Sequence, residues 1–422
     1  MEEIKKKLEQ QLLEMLDYSK ESTDEEVLEL IDKLFLQEET LRIYTVEERQ
    51  RLKKEIFCAL RRLDILQALL EDDSITEIMI NGPDNLFVER AGHITKLEEH
   101  FESVEKLQQV IQKIVAGCNR SVNEASPIVD ARLQDGSRVN VVLRPVAING
   151  PIVTIRRFSD KPLTMNQLID WKSISKEAAD ELKNLVKAHY NIFISGGTGS
   201  GKTTFLNVLS GFIPPDERII TIEDSAELQI QGIANLIRME TRNENVEGCH
   251  AIAIRDLIKA SLRMRPDRII VGEVRGSEAI DMMTAFNTGH DGSMSTGHAN
   301  SAADMLCRLQ TMILMGMELP LSAVKQQIAS AIDIIVHLGR LRDKSRKVLE
   351  IVEVDGCEAG EIRLHTLYRF RESGTDKTGC VSGELRKEGH LKHDYKLRAA
   401  GIPLQKTETE VFFGGEERDS CL

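Results

Sequence analysis

"NIFISGGTGSGKTTFLNVL", residues 191–209, runs from an apolar, strand-like stretch through glycine, serine and threonine into a helix-forming segment. Its middle, from Gly196 to Thr203, fits G-x-x-x-x-G-K-[ST]. Placed between a strand and a helix, that spacing makes a loop whose backbone N–H groups converge on phosphate oxygens. The glycines let the backbone turn inward, Lys202 spans the β and γ oxygens, and the Thr203 hydroxyl faces Mg²⁺. Gly196, Gly197, Thr198, Gly199, Ser200, Gly201, Lys202, Thr203 and Thr204 are therefore the candidate contacts for ATP, with Thr203 the one among them that faces Mg²⁺.

Outward from this loop, apolar runs alternate with helical patterns: HYNIFIS (189–195), ERIITIED (217–224), DRIIVGE (267–273), GSMST (292–296), DIIVHL (333–338) and KVLEIVEV (347–354). A helical stretch is expected between the second and third. Continuous apolar strands separated by helices predict a mostly parallel sheet covered on both faces, the α/β architecture. Hydrolysis needs carboxylates at the ends of neighbouring strands. Glu223 and Asp224 end one run and Glu273 another. Glu223 suits the polarising of water and Glu273 a water-mediated contact to Mg²⁺; the two roles are interchangeable on sequence grounds. Arg238, Arg242, Arg255, Arg263 and Arg265 lie between these endings, and such arginines either reach a neighbouring protomer's γ-phosphate or pair on helix surfaces. In GHDGSMSTGHANS (289–301), His290 and His298 lack a metal-ligand spacing. Thr296–His298 fall at the C-terminal end of a strand, where doubly wound sheets bind ligands, and Asn300 or Ser301 caps the next helix. His298 is then a candidate nucleotide sensor and His290 a turn residue.

Upstream, Ile4, Leu8, Leu12 and Met15, then Val27, Ile31, Leu34 and Phe35, recur at helical spacing. Thr23 with Glu26, and Thr45 with Glu48, form capping boxes. Residues 1–62 are expected to form a helical bundle. Residues 63–160 read as an α+β domain: a helix, short strands, a helix from Ser103 to Gly117, then VDARL, RVNVVL, RPVAI and PIVTIRRF around Asp135-Gly136 and Asn149-Gly150. Its Arg156 and Arg157 are placed to lean over a neighbouring site. Residues 161–405 form the nucleotide domain, and 406–422 a charge-rich tail.

A chain of 422 residues, 41% hydrophobic, has the length for two or three domains. Its net charge of -13 opposes a nucleic-acid or anionic-membrane surface. The seven cysteines show no CxxC spacing, so no structural metal is expected. The charged N-terminus lacks a signal peptide's apolar core, and no apolar run reaches membrane-spanning length. Three functions fit a phosphate loop on such a chain: a mechanochemical ATPase, a nucleic-acid-dependent motor and a small-molecule kinase. The acidic balance disfavours the second.

GGTGSGKTT, IEDSAELQ, RMRPDRIIVGEVRGSEAIDMMTAFNTGHDGSMSTGHANS and VDARLQDGSRVN together resemble the secretion ATPase superfamily. That group drives type II secretion, type IV pili and type IV secretion. Within it the chain is most similar to the tight-adherence (Tad/Flp, CpaF-type) pilus assembly ATPases, over roughly residues 60–400. The resemblance implies a homo-hexameric ring whose protomers join an N-terminal domain to a RecA-like P-loop ATPase domain. It also implies a cytoplasmic protein docked on the inner or plasma membrane through a platform protein, with no stable nucleic-acid partner. Gly196–Thr204 then correspond to the Walker A loop, Glu223–Asp224 to the Asp box, Gly272–Glu273 to Walker B and Thr296–His298 to the His box. Arg238 and Arg242 match arginines placed to contact the γ-phosphate. The absence of a four-cysteine zinc element favours the pilus branch.

Overall fold

The computed structural model describes residues 2–16, 22–118, 120–157, 162–242, 250–375 and 379–403, so the tail at 406–422 lies outside the described residues. The chain divides into two units, Met1–Asp160 and Lys161–Leu422.

In the first unit, helices α1 (Glu2–Met15), α2 (Asp24–Gln37) and α3 (Val46–Arg61) bury Leu8, Leu12, Val27, Ile31, Leu34, Leu52 and Ile56 in one apolar cluster. Both capping boxes form: Thr23 and Thr45 accept from the N–H groups of Glu26 and Glu48, whose carboxylates accept from the cap residues' own N–H. Helix α4 (Ile65–Glu71) leads into strands β1 (Ile75–Asn81), β2 (Leu86–Arg90) and β3 (His93–Lys96). Ser103 caps α5 (Val104–Gly117), and β4 (Ile128–Arg132), β5 (Arg138–Val142) and β6 (Ile152–Arg156) follow. The sheet is antiparallel in the order β3-β2-β1-β6-β5-β4, with α5 packing Leu107, Val110, Ile111 and Ile114 against its apolar face.

Two expectations change here. RPVAI is turn, because Pro145 has no N–H for a ladder and the Ala147 N–H folds back to the Leu143 carbonyl. Arg157 is consumed locally: its guanidinium donates to the Asp72 and Ile75 carbonyls and pairs with Asp73.

The second unit is a RecA-like α/β layer structure. Its elements are α6 (Met165–Asp170), α7 (Lys176–Lys187), β7 (Ile192–Gly196), α8 (Lys202–Ser210), β8 (Arg218–Glu223), β9 (Asn235–Glu240), α9 (Ile254–Ser261), β10 (Arg268–Val271), α10 (Ala279–Phe286), β11 (Met294–His298), α11 (Ala302–Gly316), α12 (Leu321–Ala331), β12 (Ile334–Arg340), β13 (Arg346–Glu358), β14 (Glu361–Thr375), β15 (Val381–Lys387) and α13 (Tyr395–Ala399). The sheet order is β15-β14-β13-β12-β7-β11-β10-β8-β9. From β12 to β9 the neighbours are parallel, and β12 to β15 are antiparallel. Residues of β7 and β10 are buried throughout because both faces are covered. Ile192 and Ile194 join α7 and α8 in one core, while Phe193 joins α9 to α12 in the other.

The expected helical stretch after Glu223 thus contains β9 as well as α9, and KVLEIVEV pairs antiparallel with β12 instead of extending the parallel sheet. At the N-terminal ends of the strands, the fully buried Arg268 grips Glu217 with two hydrogen bonds and donates to the Val186 and Gly292 carbonyls. It therefore fixes the starts of β8 and β10 and the turn before β11.

Arg268→Ala strips Glu217 of its bidentate partner, and equilibrium urea unfolding should show a loss of about 3–5 kcal/mol. A loss under about 1 kcal/mol, the value of an exposed pair, would contradict this role.

Candidate functional site

The loop after β7 is shaped by three glycines in left-handed or extended positive-φ backbone: Gly196 (φ 157°), Gly199 (φ 70°) and Gly201 (φ 93°). A Cβ on Gly196 would lie 2.5 Å from the Leu338 carbonyl oxygen and 2.6 Å from Ser200 Oγ, so no side chain fits there. Gly201 occupies the N-cap of α8, which aims that helix's first N–H groups into the loop. Ser200 Oγ is buried without a hydrogen-bond partner, and Thr203 stands in the first turn of α8. Gly197, Thr198 and Thr204 complete the stretch. Such a ring of donors suits a polyphosphate, and the hydroxyl of Thr203 with the carboxylate of Glu273 is the oxygen donor type that Mg²⁺ takes.

The chain bends several charged groups toward this loop. Lys202, only 7% exposed, donates to the Gly197 carbonyl at 3.0 Å and lies 3.2 Å from His298 Nδ1. An ammonium only donates, so Nδ1 carries the lone pair and the ring proton sits on Nε2. Nε2 faces Glu273 Oε1 at 2.8 Å, off the ideal hydrogen-bond direction. Glu273 Oε2 accepts from Arg275 at 2.7 Å, and Arg275 lies 3.9 Å from Asp224. Partial burial lowers the His298 pKa below the ordinary imidazole value; Glu273 pulls it up again while Lys202, Arg275 and Arg308 push it down. The neutral ring that results matches its place between an ammonium and a carboxylate.

Glu223 behaves differently. It is 3% exposed, and Oε1 accepts from the N–H groups of Glu227 and Leu228 at 2.8 and 2.9 Å. Its Oε2 is buried without a hydrogen-bond partner. The carboxyl packs on Gly272, where an added Cβ would meet Glu223 Cγ at 2.8 Å. Burial pushes its pKa up to about 7, against the pull of the two backbone bonds and of Arg238. Glu273, with 21% of its side chain exposed, is the carboxylate that touches His298.

The arginines expected near the γ-phosphate hold backbone carbonyls of their own surroundings: Arg238 on β9 donates to Leu228 O, and Arg242 to His250 O. Arg255 pairs with Asp281. Ser301 caps α11 by accepting from the Asp304 N–H, and His290 lies in the turn after α10 with its ring 3.2 Å from the Ala285 carbonyl. Sequence reasoning missed Arg275, although its position two residues after Glu273 on the same turn was a usable signal. It also missed the β12–β13 side of the loop: Arg340 Nη1 lies 3.8 Å from a Cβ placed on Gly199, and Arg346 Cδ 3.6 Å from one on Gly201. Arg346 opens onto an apolar cleft lined by Leu163, Leu168, Phe205, Leu338 and Val348 beside Ser200 and Thr204. Among the described residues, no cluster of metal-ligating side chains occurs and no helix is long and apolar enough to cross a membrane.

Known proteins are similar to this chain. The family described as type II/IV secretion system protein matches residues 60–390. The conjugal transfer protein TrbB of Rhizobium radiobacter is 32% identical over 296 residues, 69% of this chain and 88% of that protein. The type IV secretion system protein PtlH of Bordetella pertussis is 31% identical over 325 residues, 70% of this chain and 95% of that protein. The pilus retraction motor PilT, solved with bound ADP, shares the fold at a TM-score of 0.51 and 19% identity, covering 81% of this chain and 87% of that one.

Glu223 holds its proton more tightly folded than unfolded, so its ionisation removes stability as pH rises from about 4.5 to about 7, by on the order of 3 kcal/mol. Glu223→Gln mimics the protonated carboxyl. Urea unfolding across that window should show the parent losing stability relative to the variant, and parallel curves would contradict the shift.

Proposed function

This chain belongs to the type II/IV secretion system protein family, and we propose that it hydrolyses ATP to ADP and phosphate to drive a secretion or pilus machine at a membrane. The observation that carries the reading is the Lys202–His298–Glu273 cluster beside a glycine-shaped phosphate loop. Lys202, now held by a carbonyl and an imidazole, is the cation placed to exchange those partners for β and γ oxygens. The loop N–H groups from Gly196 to Thr204 surround the phosphates, and the apolar cleft beside Ser200 takes the base. Thr203 and Glu273 hold Mg²⁺, the latter through water, and the ion's chemistry is to neutralise charge developing on the transferred phosphoryl group.

Glu273 orients the attacking water, and His298, in contact with it, registers whether a γ-phosphate is present. Glu273 thus takes the water-orienting role offered to Glu223 in addition to its own contact to Mg²⁺, because Glu223 is buried and bonded to its own turn. Glu223 serves to shape that turn. Arg238 and Arg242, once released from the Leu228 and His250 carbonyls they hold, reach the γ-phosphate of an adjacent protomer in a homo-hexamer. The motif resemblance supports the tight-adherence branch, a cytoplasmic location and an inner-membrane platform protein as partner; the net charge of -13 supports a machine that does not bind nucleic acid stably.

Lys202→Ala should lower ATP turnover at least about a hundredfold while preserving the unfolding midpoint. Glu273→Ala should still bind nucleotide but lose turnover. A mixture of Lys202→Ala and Arg242→Ala protomers should recover part of the activity at hybrid interfaces. Turnover near the parent's in Lys202→Ala, or hydrolysis that appears only with added DNA, tells against this function.

A further inference from the structure

One buried histidine stands outside the cluster. His337 on β12 is 6% exposed and pairs in register with Ser195, the residue before the first loop glycine. Ser195 Oγ and His337 Nδ1 are 2.8 Å apart, and the backbone of Asn300 faces the ring and raises its pKa. Asn300 lies two residues beyond His298, in the segment leading into α11. One ring therefore joins the root of the phosphate loop to the segment that carries His298.

The pair is costly on packing grounds alone. Its neighbours on β12 are Ile335, Val336 and Leu338, all buried, and an aliphatic side chain would fill the position without bringing polar atoms into the core. Burial lowers the ring's pKa below its ordinary value. Glu350, its register partner on β13, and Asp304 on α11 pull it up again, while Lys202 on α8 pushes it down. A neutral ring keeps a lone pair on Nδ1 for the Ser195 hydroxyl proton.

We propose that His337 is a positioning residue for hydrolysis: through Ser195 and Asn300 it holds the phosphate loop and the His298 segment at a fixed separation. The inference rests on the ATPase reading above. Displacement of one group by a fraction of an ångström slows a reaction without weakening the binding of its substrate.

The test measures steady-state ATP hydrolysis and equilibrium ADP binding for the full chain and its variants. Ser195→Ala, which removes only a hydroxyl, is expected to lower kcat about tenfold with ADP affinity within about threefold of the parent's. His337→Ala should cost the same factor, and the double variant no more than either single change. His337→Asn, whose amide lies near the Nδ1 position, should keep most of the rate. Unchanged kcat in Ser195→Ala, additive losses in the double variant, or equal losses in His337→Asn and His337→Ala overturn the proposal. A parent chain without hydrolysis overturns the ATPase reading itself; a hydrolysing parent indifferent to these changes overturns only the positioning role.

Discussion

The site depends on the parallel register of one strand. Gly196, the last residue of β7, pairs with His298 on one side and Leu338 on the other. That register brings the start of the phosphate loop, the end of β11 and the β12–β13 turn region to a single edge of the sheet. It also explains why Gly196 tolerates no side chain, since the Leu338 carbonyl sits where a Cβ would be. A shift of one residue in β11 would turn His298 to the other face and remove Lys202's imidazole partner. Arg268 protects the register from the opposite edge by binding the starts of the strands and the turn before β11.

Upon that frame, charge is arranged in sequence. Lys202, His298, Glu273, Arg275 and Asp224 form a line of close neighbours that leads from the loop to the turn after β8. Cation and anion alternate along it, with a neutral imidazole between the ammonium and the first carboxylate. Phosphates drawing Lys202 away would change what His298 faces, and Glu273 would sense the change through a contact of 2.8 Å. Glu223 lies apart from the line. Its bonds to Glu227 and Leu228 and its packing on Gly272 make it a buried support for the same turn.

Much of this frame was readable in the sequence because the signals are local. A continuous apolar run marks a strand covered on both faces, a glycine-rich turn before Lys202 marks the loop between β7 and α8, and Thr23, Thr45, Ser103 and Ser301 announce helix starts. The missing parts lack such signals. Strand β9 is an edge strand with exposed and half-buried residues, so NLIRME carries neither an apolar run nor clean alternation. The long β13 and β14 place charged side chains on exposed positions and contain bulges, which break their period of two. Contacts across strands are the least legible: His298 meets Glu273, and His337 meets Ser195, because of strand order and register, which no local pattern encodes.

On entry of a nucleoside triphosphate into the loop, Lys202 and His298 are expected to exchange partners. A crystal structure with Mg²⁺ and a non-hydrolysable ATP analogue tests it most directly. Phosphate oxygens are expected at the Lys202 ammonium in place of Gly197 O and His298 Nδ1, with the base in the cleft beside Ser200. An analogue bound elsewhere, or a Lys202 still paired with His298 beside the bound phosphates, would contradict it.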